Sequence, residues 1–132
     1  MLGAASTTMA FLPPRKGKRM SDCIFCKIAA GEIPAAFVGE TGEFVAFKDI
    51  NPVAPVHLLV IPRRHVTSID GIEELGEGTA GRLLSFTVAM ARAAGIAESG
   101  YRVITNAGPD AGQEVAHMHW HIVGGRRLKG LG

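Results

Sequence analysis

The sequence predicts an α+β domain, a five-stranded antiparallel sheet with one long and one short helix. Three observations lead there. Strands, then a helix, then strands follow one another along the chain, and connections between sequential strands are too short for parallel crossovers. One stretch, Thr79 to Ala94, has the apolar spacing of an amphipathic helix. One run, His117-Met118-His119-Trp120-His121-Ile122, alternates strictly between imidazole and apolar side chains, the period of a strand packed on one face.

The 132 residues suffice for one core and not for two. Residues 1–20 hold Pro13-Pro14, four basic residues and no acid, without helical or strand periodicity; they read as a disordered or artefactual leader. A single domain is expected over residues 21–132. Ser21-Asp22 is expected to cap a short helix from Cys23 to Ala30, with Ile24, Phe25 and Ile28 on one face and Gly31 as its stop. Phe37 to Glu40 and Phe44 to Lys48 are β-rich runs joined by a hairpin at Thr41-Gly42. His57 to Ile61 is almost wholly apolar after its first residue, as in a central strand, and Pro62 ends it.

In the long helix, Leu84, Val88, Ala91 and Gly95 follow one stripe, widened by Leu83, Phe86 and Met90; Thr79 is its expected cap and Gly95 its stop. Tyr101 to Asn106 and His117 to Val123 complete the strands, across a loop from Ala107 to Glu114. The helices are expected on one face of the sheet.

Composition excludes some functions. Of 14 basic residues, Arg15, Lys16, Lys18 and Arg19 lie in the leader, leaving ten basic against twelve acidic, so the net +2 is no basic footprint for nucleic acid. No apolar run approaches the roughly 20 residues of a membrane span. Two cysteines three apart, without an export signal, do not suggest a disulfide framework.

The histidine row is the candidate chemical centre. Neutral imidazole is a nucleophile, a proton shuttle and a metal ligand, so three readings compete: buried core histidines, a three-histidine zinc hydrolase, and covalent catalysis. The chain's other histidines, His57 and His65, flank the third strand and converge on the row if the two strands are neighbours. Cys23-x-x-Cys26 can be two small buried hydrophobes, a redox pair, or half a zinc site that His65 and His117 complete. Backbone N–H groups over Gly112-Gln113-Glu114-Val115 can form a concave anion site above the row. Asp49, at a strand end, is either a turn former or a ribose-hydroxyl acceptor.

His117-Met118-His119-Trp120-His121-Ile122-Val123 resembles the H-φ-H-φ-H-φ-φ signature of the histidine triad (HIT) family, where φ is apolar. Cys23 to Ile28, Glu32-Ile33-Pro34, Ala46 to Ile50, His57 to Pro62 with His65, Asn106, Gly112 to Val115 and Gly124-Gly125 extend the resemblance to its Hint branch, over about Ser21 to Arg127. The resemblance implies a cytoplasmic homodimer with strands pairing across subunits, hydrolysing purine nucleoside 5'-phosphoramidates. Relatives acting as dinucleoside polyphosphate hydrolases or nucleotidyl transferases, or a nucleotide-binding interaction module with incidental hydrolysis, are the alternatives.

By resemblance His119 is the nucleophile, with His121 and His57 holding phosphoryl oxygens and moving protons. Ile24, Phe25, Ile28, Phe47 and Ile50 resemble the base pocket and Asp49 the ribose-binding acid. Asn106 and the segment Gly112, Gln113, Glu114 and Val115 resemble the phosphate contacts. Cys23, Cys26, His65 and His117 match the ligands of a structural zinc, with no cofactor needed for catalysis. Glu114 stands where some relatives have serine, so only its backbone is expected to serve. Nucleophilic attack through one ring nitrogen requires the other to keep its proton on a fixed acceptor, so a backbone carbonyl is expected behind His119.

Overall fold

A computed structural model describes residues 22–130. The leader, and Ser21 of the expected cap, lie outside the described residues. The elements are α1 (Ile24–Ala29), β1 (Phe37–Glu40), β2 (Phe44–Lys48), β3 (Val56–Pro62), α2 (Thr79–Ala93), β4 (Tyr101–Thr105) and β5 (Trp120–Gly124). The five strands form one antiparallel sheet in the order β1-β2-β3-β5-β4. Two 3-10 segments absent from the sequence reading, Ile69–Leu75 and Pro109–Ala111, shape the connections.

Alternation along the central strands separates two apolar layers. Phe44, Ala46, Leu58, Val60 and Ile122 face α2, where Leu83, Phe86 and Ala91 cover them. Val45, Phe47, Leu59 and Ile61 face the opposite way and are covered by Cys23, Phe25 and Ile28 of the α1 segment. The helices therefore sit on opposite faces, not on one as the sequence reading had it. The central strands are apolar on both sides, so each face needs its own cover.

Local boundaries differ in instructive ways. The cap of α1 is Cys23 itself, whose Sγ accepts from the Cys26 N–H at 3.4 Å. Gly78, in the left-handed region, precedes α2 in place of the expected Thr79 cap, which is buried inside the helix. The buried stripe of α2 runs through Thr79, Leu83, Phe86, Thr87 and Ala91, while Leu84 is 50% exposed. Adjacent helical stripes satisfy the same spacing, and packing chose the neighbouring one. The last strand begins at Trp120, so His117, in a bend, and His119 lie just before the ladder.

Candidate active site and metal centre

Strand parity builds the site. His57 and His121 lie on the α1 face of the sheet, since Leu59 is on that face, pairs with His121, and sits two residues from His57. Asp49 follows β2 at the same parity as Phe47, and its Oδ2 lies 3.3 Å from His57 Nε2. His57 Nε2 is 2.9 Å from His121 Nδ1. The His119 and His121 ring centroids are 5.2 Å apart. Met118 and Ile122 are fully buried behind the row, and Trp120 packs against their cluster.

The expected carbonyl behind His119 is that of His117, 2.7 Å from His119 Nδ1. A carbonyl only accepts, so Nδ1 carries the proton and Nε2 keeps its lone pair. Thr105 Oγ1 donates to the His119 carbonyl at 2.8 Å and holds that backbone in place. Burial, above all, lowers the pKa of His119, against a smaller opposing effect of its hydrogen bond to His117. Burial lowers His121 to about 4, with further contributions from His119 and His57. Both rings are therefore neutral at physiological pH, as nucleophilic and proton-donating roles require.

The row divides in two. His117 turns away from its neighbours: its Nε2 donates to the Pro62 carbonyl at 2.8 Å, leaving Nδ1 bare, 3.4 Å from Cys23 Sγ and 3.5 Å from Cys26 Sγ. His65 Nδ1 is 3.2 Å from Cys26 Sγ. The donor atoms of Cys23, Cys26, His65 and His117 all lie within 4.8 Å of one another. A tetrahedral zinc with sulfur at about 2.3 Å and nitrogen at about 2.0 Å separates S from N by roughly 3.5 Å, so the set fits that ion.

The cysteine pair favours a thiolate. Its hydrogen bond with Cys26, opposed by burial and helped by His117 and His65, pulls the Cys23 thiol well below the usual range, while Cys26, sharing the proton with Cys23, is pushed up. This second ligand set separates His117 from His119 and His121, which rules out the three-histidine metal geometry considered from sequence. His117 points at the cysteines and His121 at His57, so the row has no common focus.

The expected nucleotide-binding residues are placed unevenly. Phe25 sets its ring 5.1 Å from that of His119 and 5.7 Å from that of Phe47, edge-on to both. Ile28 is buried in the same layer. Ile24 is 42% exposed, and Ile50 stands almost wholly in solvent at 91%. Asp49 does form a turn, Oδ1 accepting from the Asn51 N–H at 2.8 Å, while its other oxygen faces His57. Asn106 is half-buried just past β4.

In the expected anion loop, the N–H groups of Gly112 and Gln113 already donate within the turn, to Pro109 and Gly108. Among the described residues, the N–H groups of Glu114 and Val115 have no protein acceptor, and the Glu114 side chain is exposed. The Gln113 side chain is a brace: Oε1 accepts from Gly108 N–H at 2.8 Å, and Nε2 donates to the carbonyls of Thr67 at 2.7 Å and Val115 at 2.9 Å. Its hydrogen-bonding capacity is used by the loop, so preorganised donors for an anion begin at Glu114.

Comparison with known proteins agrees with this geometry. The HIT domain pattern matches residues 30–128. HitA of Neisseria gonorrhoeae is 47% identical over 105 residues, covering 80% of this chain and 97% of that protein. The purine nucleoside phosphoramidase of Escherichia coli K12 is 40% identical over 107 residues, covering 81% and 90%. A histidine triad protein from Clostridium difficile superposes with a TM-score of 0.80 at 43% identity, over 88% of this chain and all of that one. A HIT family hydrolase from Legionella pneumophila superposes at 0.77, also 43% identical, over 81% and 96%. The chain belongs to the HIT family. With those neighbours it shares the five-stranded open sheet, and the Legionella neighbour is named a hydrolase.

Proposed function

We propose that the chain hydrolyses the P–N bond of purine nucleoside 5'-phosphoramidates through a nucleotidyl-His119 intermediate. The observation that carries this reading is the 2.7 Å contact of His119 Nδ1 with the His117 carbonyl, which leaves the lone pair of a neutral ring on Nε2 as nucleophile. A relative at 40% identity is named a purine nucleoside phosphoramidase, which supports the substrate class.

In this mechanism His119 Nε2 forms a bond to phosphorus as the P–N bond breaks, and the leaving amine takes a proton. Val53 N–H points at His57 Nδ1 at 3.2 Å, so His57 keeps its proton on Nε2 and donates to His121 Nδ1. His121 then holds its own proton on Nε2, where it serves the leaving group or a phosphoryl oxygen. Water next displaces the histidine, splitting one hard displacement into two. The free amides of Glu114 and Val115, with Asn106, meet charge on phosphate. Phe25, Phe47 and Ile28 offer the base an apolar wall, and Asp49 the ribose an acceptor. Ile24 and Ile50 would be covered by the bound base.

Zinc, held by Cys23, Cys26, His65 and His117, would be structural, since four protein ligands leave no position for substrate. It would tie α1, which supplies Phe25, to the segment that supplies His119. A homodimer is supported by β4, whose outer edge has no strand partner within the described chain and bears exposed Val103, and by exposed Leu84 on α2. A cytoplasmic location is proposed, and no helix of the described residues is long and apolar enough to cross a membrane.

Intact mass spectrometry after rapid mixing with a slow adenosine phosphoramidate tests the intermediate. The expected result is a nucleotidyl adduct on His119, absent from a folded, inactive His119→Ala variant. Full activity of that variant would refute the assignment. Specificity constants for a phosphoramidate and a diadenosine polyphosphate, measured side by side, decide between this reaction and its polyphosphate alternative. Tight nucleotide binding with negligible turnover on either would favour the interaction-module reading.

A further inference from the structure

Arg126 lies just beyond β5 and outside the histidine row. Its Nη2 donates to the Val53 carbonyl at 2.9 Å and its Nη1 to the Arg127 carbonyl at 2.9 Å. Val53 sits in the irregular chain between β2 and β3, with a side chain 63% exposed, so apolar packing does little to hold it. Its N–H, however, is the donor that faces His57 Nδ1 at 3.2 Å. A continuous path thus runs from Arg126 through Val53 and His57 to His121 and Asp49.

The approach is built into the backbone. Gly125 has φ +93°, and a Cβ there would lie 2.9 Å from Pro55 Cβ. A glycine lets the outgoing chain pass against the Val53–Val56 segment closely enough for the next residue to reach back to Val53.

We propose that Arg126 is a positioning residue that, by clamping Val53, locks His57 in the tautomer protonated at Nε2 and thereby keeps the His121 proton on the substrate side. The proton bookkeeping follows from the partners. An N–H aimed at His57 Nδ1 requires a lone pair there, which puts the His57 proton on Nε2. His121 Nδ1 accepts it, so the His121 proton sits on Nε2. If Val53 drifts, His57 is free to carry its proton on Nδ1. Two lone pairs then face each other across 2.9 Å unless His121 moves its own proton to Nδ1, stripping Nε2 of the donor. Asp49 Oδ2, 3.3 Å from His57 Nε2, favours the same tautomer, so the clamp on Val53 acts together with this carboxylate and not alone.

The substrate half of this inference rests on the proposed hydrolysis; the tautomer half does not. The test uses the full-length chain, labelled with nitrogen-15, as wild type, Arg126→Met and Arg126→Lys. Long-range proton–nitrogen correlation spectra read the His57 tautomer with no substrate present. Wild type should show the Nε2–H pattern alone, Arg126→Met a mixture, and Arg126→Lys the wild-type pattern, because an ammonium can still donate to one carbonyl. With an adenosine phosphoramidate, kcat of Arg126→Met should fall roughly tenfold, the loss typical of removing an outer-shell partner. KM should stay within about twofold of wild type, as for a group acting on the chemical step rather than on binding.

An unmixed Nε2–H pattern in Arg126→Met overturns the proposal at any rate. A mixed pattern with unchanged kcat overturns its catalytic half. Should Arg126→Met fail to fold, Arg126→Gln, which keeps part of the stem but not the guanidinium fork, is read by the same criteria. Wild-type protein inactive on every phosphoramidate would count against the proposed function and leave the spectra to judge the clamp.

Discussion

Acidification tests the catalytic reading most directly, because the structure assigns a direction to both rings involved. An exposed imidazole titrates near 6.5, so at pH 5.5 only about one in ten is neutral. His121, lowered to about 4 by burial, His119 and His57, would still be almost wholly neutral there, and His119 is lowered too. If neutral His119 and His121 are what catalysis needs, kcat/KM at pH 5.5 should stay well above one tenth of its plateau, approaching the plateau itself if the His119 pKa is also well below 5.5. The assay is a pH profile from 4 to 8 with a nucleoside phosphoramidate whose leaving group does not titrate in that range.

The same shift carries a stability signature, and its sign is fixed. A histidine with a folded-state pKa below its unfolded value contributes fully above pH 6.5, and its contribution is lost as the pH falls towards 4. For a ring still partly reached by water, the discounted size is on the order of 1 kcal/mol. An acid limb centred near 6.5 would refute the reasoning, since the catalytic rings would then be titrating as if solvated. His57→Gln removes one of the neighbours that lower His121 and should move the limb upward.

Other expectations concern the rest of the molecule. With zinc at about a hundred times its dissociation constant, binding to the native state alone adds about 2.7 kcal/mol, or roughly 10 °C in Tm for a chain of this size. Chelation should remove that increment, and Cys26→Ala should abolish both the bound zinc and the increment, read by scanning calorimetry with metal analysis. Leu83→Ala opens a void under α2 where the side chain is fully buried, and urea unfolding should show a loss of about 2–5 kcal/mol. Its neighbour Leu84 faces outward, so Leu84→Glu should leave the fold intact, and if the proposed homodimer covers this face, light scattering should show the mass shift from dimer to monomer.

What could be read along the chain were features generated within a few residues. Alternation at His117 to Ile122 told which side chains stand together, and the structure keeps Met118, Trp120 and Ile122 on the opposite side from His119 and His121. The hairpin at Thr41-Gly42, the central apolar strand and the Gly31 stop are of the same kind. The pairing of Cys23 and Cys26 with His65 and His117 was visible only as a coincidence of residue types with the right chemistry. Periodicity misplaced the buried stripe of α2, because a helix offers two adjacent stripes and the choice belongs to the sheet beneath.

Everything that depends on neighbours distant in sequence waited for the tertiary structure. Alternation could not say that β3 lies beside β5, which sets His57 against His121 across 64 residues and brings Asp49 to 3.3 Å from His57. Nor could it show that His117 belongs to the cysteines while His119 sits between Phe25 and His121, or that Arg126 reaches Val53 across 73 residues. Local sterics and hydrogen bonding decide the direction of a side chain within its own element. Which two elements meet is decided by how their apolar faces are buried together, and that is a property of the whole chain.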